Sequence, residues 1–274
     1  MNSAEDEKAM AEMSAAGMAG TLAGGVMAAE LVGYTLHRAM HSGKFPRLSR
    51  AHMIHHMVLY EPHGAMRAEE YRDATEGRAS VGNIGMEWVL PIAAVLTAIW
   101  IALWVLGISW VYRTMATTVM VGWAMFMFSY IHDGMHVNGF WMERIPWVRQ
   151  WYVKARRLHD IHHRSLNDSG KMDRNFGIGF FVFDRVFGTL RKRHCIFNRR
   201  GYREALKRYA DLGVHEELEH FPKHWGGEGM SGEDHYVFSG ARGLRFRESL
   251  KGFGEGKAAA KLEDLAFHKE QREP

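Results

Sequence analysis

The stretch from Trp88 to Ile131, WVLPIAAVLTAIWIALWVLGISWVYRTMATTVMVGWAMFMFSYI, decides the fold. Trp88 to Trp110 holds no charged residue, and neither does Thr114 to Ile131; Arg113 is the one charge between them. As helices these runs measure roughly 34 Å and 27 Å, against a hydrocarbon core of about 30 Å. They read as a helical hairpin through a bilayer. The bulk composition hides this. The chain of 274 residues is 47% hydrophobic with a mean hydropathy of −0.27, which suggests a soluble protein only because the polar residues gather elsewhere.

A third span is expected at Met13 to Leu36, a small-residue run carrying the GxxxG spacing Gly20 to Gly24, which permits close helix approach. Glu30 interrupts it. The competing reading, a signal peptide, sits poorly with the acidic start MNSAEDEK. Basic residues set the orientation. Arg38, Lys44, Arg47, Arg50, Arg67, Arg72 and Arg78 lie between the first span and the hairpin, and Arg144, Arg149, Lys154, Arg156 and Arg157 follow it. By the positive-inside rule these loops face the cytoplasm. The net charge of +4 suits anionic headgroups, and no recognition motif points to nucleic acid.

The expected fold class is all-α: a multi-pass integral membrane helical protein with a histidine-rich dimetal site at its cytoplasmic face. Residues 1–190 form the membrane-embedded catalytic domain and 191–274 a polar cytoplasmic tail. Gly64 to Asn83 reads as a polar connector. Asn138 to Tyr152 reads as an amphipathic headgroup-level segment or a core helix, and Asn175 to Leu190 as a re-entrant segment or the wall of an apolar pocket. Cys195, the single cysteine, excludes a disulfide framework and an iron–sulfur cluster built by this chain alone.

Of 17 histidines, ten fall into four boxes: His37 and His41 in HRAMH; His52, His55 and His56 in HMIHH; His132 and His136 in HDGMH; His159, His162 and His163 in HDIHH. With histidine at about 6% of positions, one HxxHH is expected roughly 0.06 times by chance, and two occur. On a helix, i, i+3 and i+4 share about 100° of arc, so each box points its imidazoles one way. The hairpin returns the chain to the face it left, so all four boxes converge. Ten imidazoles are too many for one ion and suit two.

The other seven histidines carry no such spacing. His63, in EPHG, is the most plausible extra ligand. Asp133 and Asp160 each follow the first histidine of a box and are candidate partners for the free ring N–H of a bound histidine. Glu30, Tyr34 and His37 share one helix face. An ionisable residue inside a span points to function, unless the span simply ends sooner.

Imidazole suits zinc, copper, nickel and iron alike. A closed four-ligand zinc site does not need ten histidines. HExxH is absent, which removes the intramembrane zinc protease, and a hydrolase using zinc-bound water would need an open site. A metal transporter would also put histidines at a bilayer, but such sites lie at the midplane on broken helices. A redox pair of irons binding dioxygen accounts best for so many neutral ligands.

These boxes, followed by NFGIGFFVFDRVFGTL, resemble the fatty acid hydroxylase/sterol desaturase superfamily of membrane di-iron oxygenases, over Ala29 to about Leu190. The resemblance implies that the ten boxed histidines hold two iron ions, with dioxygen as co-substrate. Its products would be hydroxylated lipids: fatty acyl, sphingoid, sterol or carotenoid-like. Desaturation at the same site is the alternative. It also implies an external electron donor, a b-type cytochrome or a ferredoxin with its reductase, docked at a bacterial inner membrane or the endoplasmic reticulum. The first box has three intervening residues where some fatty acyl members have four, and the third is one shorter than its carotenoid-hydroxylase counterpart.

Overall fold

The computed structural model describes residues 14–69, 71–72, 89–193 and 196–214. Arg78, His194, Cys195, the far half of the Gly64 to Asn83 connector and the tail from 215 onward lie outside the described residues, as does the acidic N-terminus. Among the described residues the structure is helical, with two isolated β-bridges and no strand.

Helix α1 (Ala15–Met40) starts where Ser14 Oγ accepts a hydrogen bond from Gly17 N at 3.0 Å, capping an otherwise orphan donor. Its buried residues Gly25, Ala29, Glu30, Tyr34 and His37 follow one helical face down to His41. α2 (Pro46–Ile54) opens on a proline, whose missing N–H costs nothing in the first turn, and runs into a π turn, His55–Leu59. α3 (Val89–Val105) buries none of its apolar side chains in the protein. It ends in a Schellman turn: Gly107 at φ +73° lets its own N–H reach Trp104 O and the Ile108 N–H reach Leu103 O. α4 (Trp110–Ala124) returns, passes through a π stretch (Met125–Ile131) and closes in α5 (His132–Met135).

Among the described residues, two helices are long and apolar enough to cross a membrane, Ala15–Met40 and the continuous Trp110–Met135; Val89–Val105 is apolar but shorter. Exposed Leu90, Ile101, Trp104, Val105 and Leu106 on and beside α3 form a surface that water would penalise and lipid would not. At the hairpin the Arg113 guanidinium lies over the Trp100 ring, 4.9 Å from its centroid, a cation–π contact.

α1 packs on α4, but not through the expected glycines. A Cβ on Gly20 or Gly24 would meet nothing within 4 Å. The close approach runs instead through Gly17 against Tyr112, Gly25 against Ala116 and Val119, and Gly33 against Phe128. Successive members of this set are eight residues apart, about 2.2 turns, so the line of contact winds round α1 as the two helices cross.

α6 (Pro146–Arg164) carries the fourth box. Trp147 near its start is 84% exposed, while Tyr152, Ala155, Leu158 and everything from His159 to His163 are buried. The segment is thus lipid-compatible at one end and core at the other. The chain then folds back through Asn175 and Phe181, both in the left-handed region, into α7 (Val182–Val186).

Past residue 190 the chain goes on packing against the helices that carry the boxes. α8 (Arg199–Arg208) and the turn Ala210–Leu212 pack Tyr202, Ala205, Leu206, Tyr209 and Leu212 onto Met53, Met57 and Val58 of the second box segment. Tyr209 Oη donates to His41 O at 2.8 Å. The body therefore runs to at least Val214, because an amphipathic helix beyond 190 covers the outer side of α2.

Candidate metal centre

All ten boxed histidines come together, in two groups. His37, His41, His52, His56 and His162 form one; His55, His132, His136, His159 and His163 form the other. Within each group the ligating nitrogens all lie within 4.8 Å of one another. Eight of the ten histidines are buried, and His52 and His132 keep partial exposure.

The division follows a rule that corrects the expectation of one direction per box. Each group takes one HxxxH pair, the i and i+4 pair of one HxxHH box, and the i+3 residue of the other. On an α-helix, i and i+4 differ by about 40°, while i+3 lies about 100° from i+4. An HxxHH box therefore straddles two centres. Boxes one and three also sit on the last turns of the apolar helices themselves, since α1 continues to Met40 and α5 to Met135.

Within the groups the ring nitrogens crowd. His52 Nε2 is 2.9 Å from His41 Nε2, which is 3.1 Å from His162 Nε2. His136 Nε2 is 3.1 Å from His55 Nε2 and 3.0 Å from His159 Nε2, itself 3.2 Å from His163 Nε2. Four rings are held from behind by backbone carbonyls accepting their Nδ1–H: His37 by Phe176 O (2.6 Å), His162 by Arg174 O (2.6 Å), His136 by Met66 O (2.9 Å) and His163 by Tyr60 O (3.2 Å). That tautomer leaves the Nε2 lone pairs facing inward, where they repel without a cation. Ligands at about 2.0–2.1 Å from a shared ion stand roughly 2.8–3.4 Å apart, depending on angle. The observed spacings fall in that range, so the donor set fits metal ions.

Burial dominates the electrostatics. It pushes His41, His52, His55, His56, His136, His159 and His163 well below the ordinary histidine range, helped by neighbouring rings that cannot all be cationic, and takes His162 down to about 4. A cage of neutral imidazoles is the form a metal needs.

The two aspartates do not share one role. Asp160 accepts two hydrogen bonds from Arg67, at 2.9 and 2.7 Å, and so faces an arginine instead of a histidine. Asp133 Oδ1 stands 3.8 Å from His132 Nδ1, beyond hydrogen-bonding reach. Backbone carbonyls orient four of the rings. His63 belongs to neither group; it lies 3.6 Å from Glu61 and against Phe197 and Tyr202. Burial and the nearby Arg164 and Arg199 push His63 down to about 3. Glu30 is buried in mid-helix and accepts from Trp123 Nε1 at 2.9 Å, so the first span does not end before it. The Asn175 to Leu190 segment lies beside the centre: the Phe176 ring packs within 5.5–5.8 Å of His37, His41 and His162. Opposite it, the Tyr60 ring stacks on His136 at 3.9 Å.

Four backbone carbonyls, Asn175, Arg67 and Tyr60 are the parts that motif spacing did not show. A carbonyl has no residue signature. A buried Asn at φ +54° has a weak one, since Asn tolerates that region better than most residues.

Residues 81–189 match the fatty acid hydroxylase family. Over that stretch, well under half of the chain, the sequence is similar to the fatty acid hydroxylase/sterol desaturase superfamily. The family implies an oxidoreductase acting on lipids, and the histidine groups are compatible with its iron-dependent chemistry. The matched hydroxylase-family stretch carries boxes three and four; boxes one and two lie before it and are joined to it only by folding. Among curated proteins and solved structures none matches this chain.

Proposed function

We propose that the protein is a membrane-bound di-iron oxygenase that hydroxylates an unactivated C–H bond of a lipid. The observation that carries this reading is the sorting of ten histidines, eight of them buried, into two groups of five, in a chain whose residues 81–189 match the fatty acid hydroxylase family. Each group would hold one iron. Bound there, the pair would supply the redox chemistry that activates dioxygen toward a C–H bond. Overall, one oxygen atom enters the lipid and the other leaves as water, with two electrons and two protons supplied from outside.

The chain's own residues make three contributions. The carbonyls of Tyr60, Met66, Arg174 and Phe176 fix four imidazoles in the tautomer that presents Nε2. Burial keeps the rings neutral and ready to bind. Phe176 and Tyr60 flank the rings with aromatic surface that excludes water. We further infer a multi-pass topology with the centre at the cytoplasmic face, where the exposed arginines meet headgroups and an external electron donor of the cytochrome or ferredoxin type.

The test is expression in a lipid-rich host under isotopically labelled dioxygen. A lipid that gains one labelled oxygen is expected. A product that gains only a double bond would make the enzyme a desaturase, and a product formed without oxygen would overturn both.

A further inference from the structure

The two histidine groups are braced by different segments of the chain. His37 and His162 donate to the carbonyls of Phe176 and Arg174, whereas His136 and His163 donate to those of Met66 and Tyr60. Each segment serves one group.

The first brace is shaped by the residue between its two carbonyls. Asn175 is fully buried at φ +54°. Its Nδ2 donates to Leu158 O at 2.9 Å and Arg191 O at 2.8 Å, its Oδ1 accepts from Arg191 N at 2.7 Å, and its own N–H donates to Thr189 O at 3.1 Å. With side chain and backbone both tied down, the peptide planes on either side have no freedom to turn away from the rings. The second brace is docked by the residue after Met66. Arg67 grips Asp160 on α6 with a two-pronged bond, and Ala68 bonds in both directions, its N–H to His136 O and its carbonyl from Asn138 N.

We propose that Asn175 and Arg67 are positioning residues for separate halves of the centre. Asn175 sets the carbonyl pair behind the half formed by His37, His41, His52, His56 and His162. Arg67 sets the brace behind the half formed by His55, His132, His136, His159 and His163. This rests on the metal-binding reading of the histidines. It adds that the halves are supported independently, so that one can be weakened without the other.

The test is cobalt titration of the purified full chain in detergent, read by the visible bands of bound Co2+ and fitted to two dissociation constants. Asn175→Ala is expected to weaken one constant by roughly 10–100-fold, the usual cost of losing an orienting partner, and to leave the other in place. Arg67→Met should do the same to the other constant, and the double variant should displace both. Displacement of the same constant by both single variants, of both constants by either one, or of neither, would overturn the proposal. A variant that does not purify folded is replaced by Asn175→Gly, which tolerates the positive φ, or Arg67→Lys, with the same constant expected to move. No cobalt uptake by the unaltered protein would instead defeat the metal reading beneath it.

Discussion

A neutral imidazole has one proton to place, and in this centre its position decides what the ring can bind. Where Nδ1–H is held by a carbonyl, as in His37, His136, His162 and His163, the inward nitrogen is a free lone pair. His56 lies fully buried where the groups meet, with its ring centroid 3.9 Å from that of His163. His56→Ala is therefore expected to abolish lipid oxidation, measured as product in membranes, while the protein still inserts; near-normal turnover would refute its place in the site. Glu61 offers a residue-scale test away from the metals. Burial pushes it up to about 8 against the opposing pull of Tyr202 and Arg72. The folded state then holds a proton that the unfolded state loses above pH 4.5, so stability falls as pH rises from there toward 8. Glu61→Gln should raise the melting temperature at pH 8 and change it little at pH 5, checked by thermal unfolding in detergent. At this scale the ten ligands were legible because spacing alone marks them. The carbonyl braces were not, because any residue can supply one.

At the scale of the element, helix periodicity explains both what the sequence showed and what it concealed. The i, i+4 pairs predicted shared faces correctly, but the i+3 member of each HxxHH box crosses to the other group, a distinction that needs the second helix to be in place. The glycines make the same point. Gly20 and Gly24 have the motif spacing, yet Gly17 and Gly25 touch α4 and Gly33 touches Phe128 in the π stretch that continues it. A methyl at Gly33 would sit 2.0 Å from the Phe128 ring, so Gly33→Ala should cost about 1–3 kcal/mol through overpacking. Gly20→Ala and Gly24→Ala should leave stability unchanged or raise it by up to about 1 kcal/mol, since alanine is the better helix former. Denaturant titration of the three variants separates the two faces. Helix α8 is hard to read from sequence for a physical reason: it is rich in arginine and reads as solvated tail, while Tyr202, Ala205, Leu206 and Tyr209 keep a helical stripe facing α2.

For the molecule as a whole, two apolar helices carry boxes one and three to one end, and α2 and α6 bring boxes two and four over it. The hairpin and the convergence were legible because charge exclusion and out-and-back connection leave few alternatives. The unit's extent past 190 was not, because it depends on packing between segments some 150 residues apart. The cage also predicts how the metal-free protein responds to acid. His41, His52, His55, His56, His136, His159, His162 and His163 titrate lower when folded than when unfolded, His162 at about 4. The unfolded chain therefore takes up more protons between about pH 6.5 and 4, and stability is lost as pH falls through that window. Melting curves of metal-stripped protein should show this loss, and added metal should lessen it by binding only the folded form. A stability flat from pH 7 to 4 would contradict the buried neutral cage. The most direct measurement is the iron content of protein purified from iron-supplied cells, determined per chain by elemental analysis. Two equivalents are expected, one for each histidine group. A saturating content of one equivalent, or none, would contradict the dimetal centre.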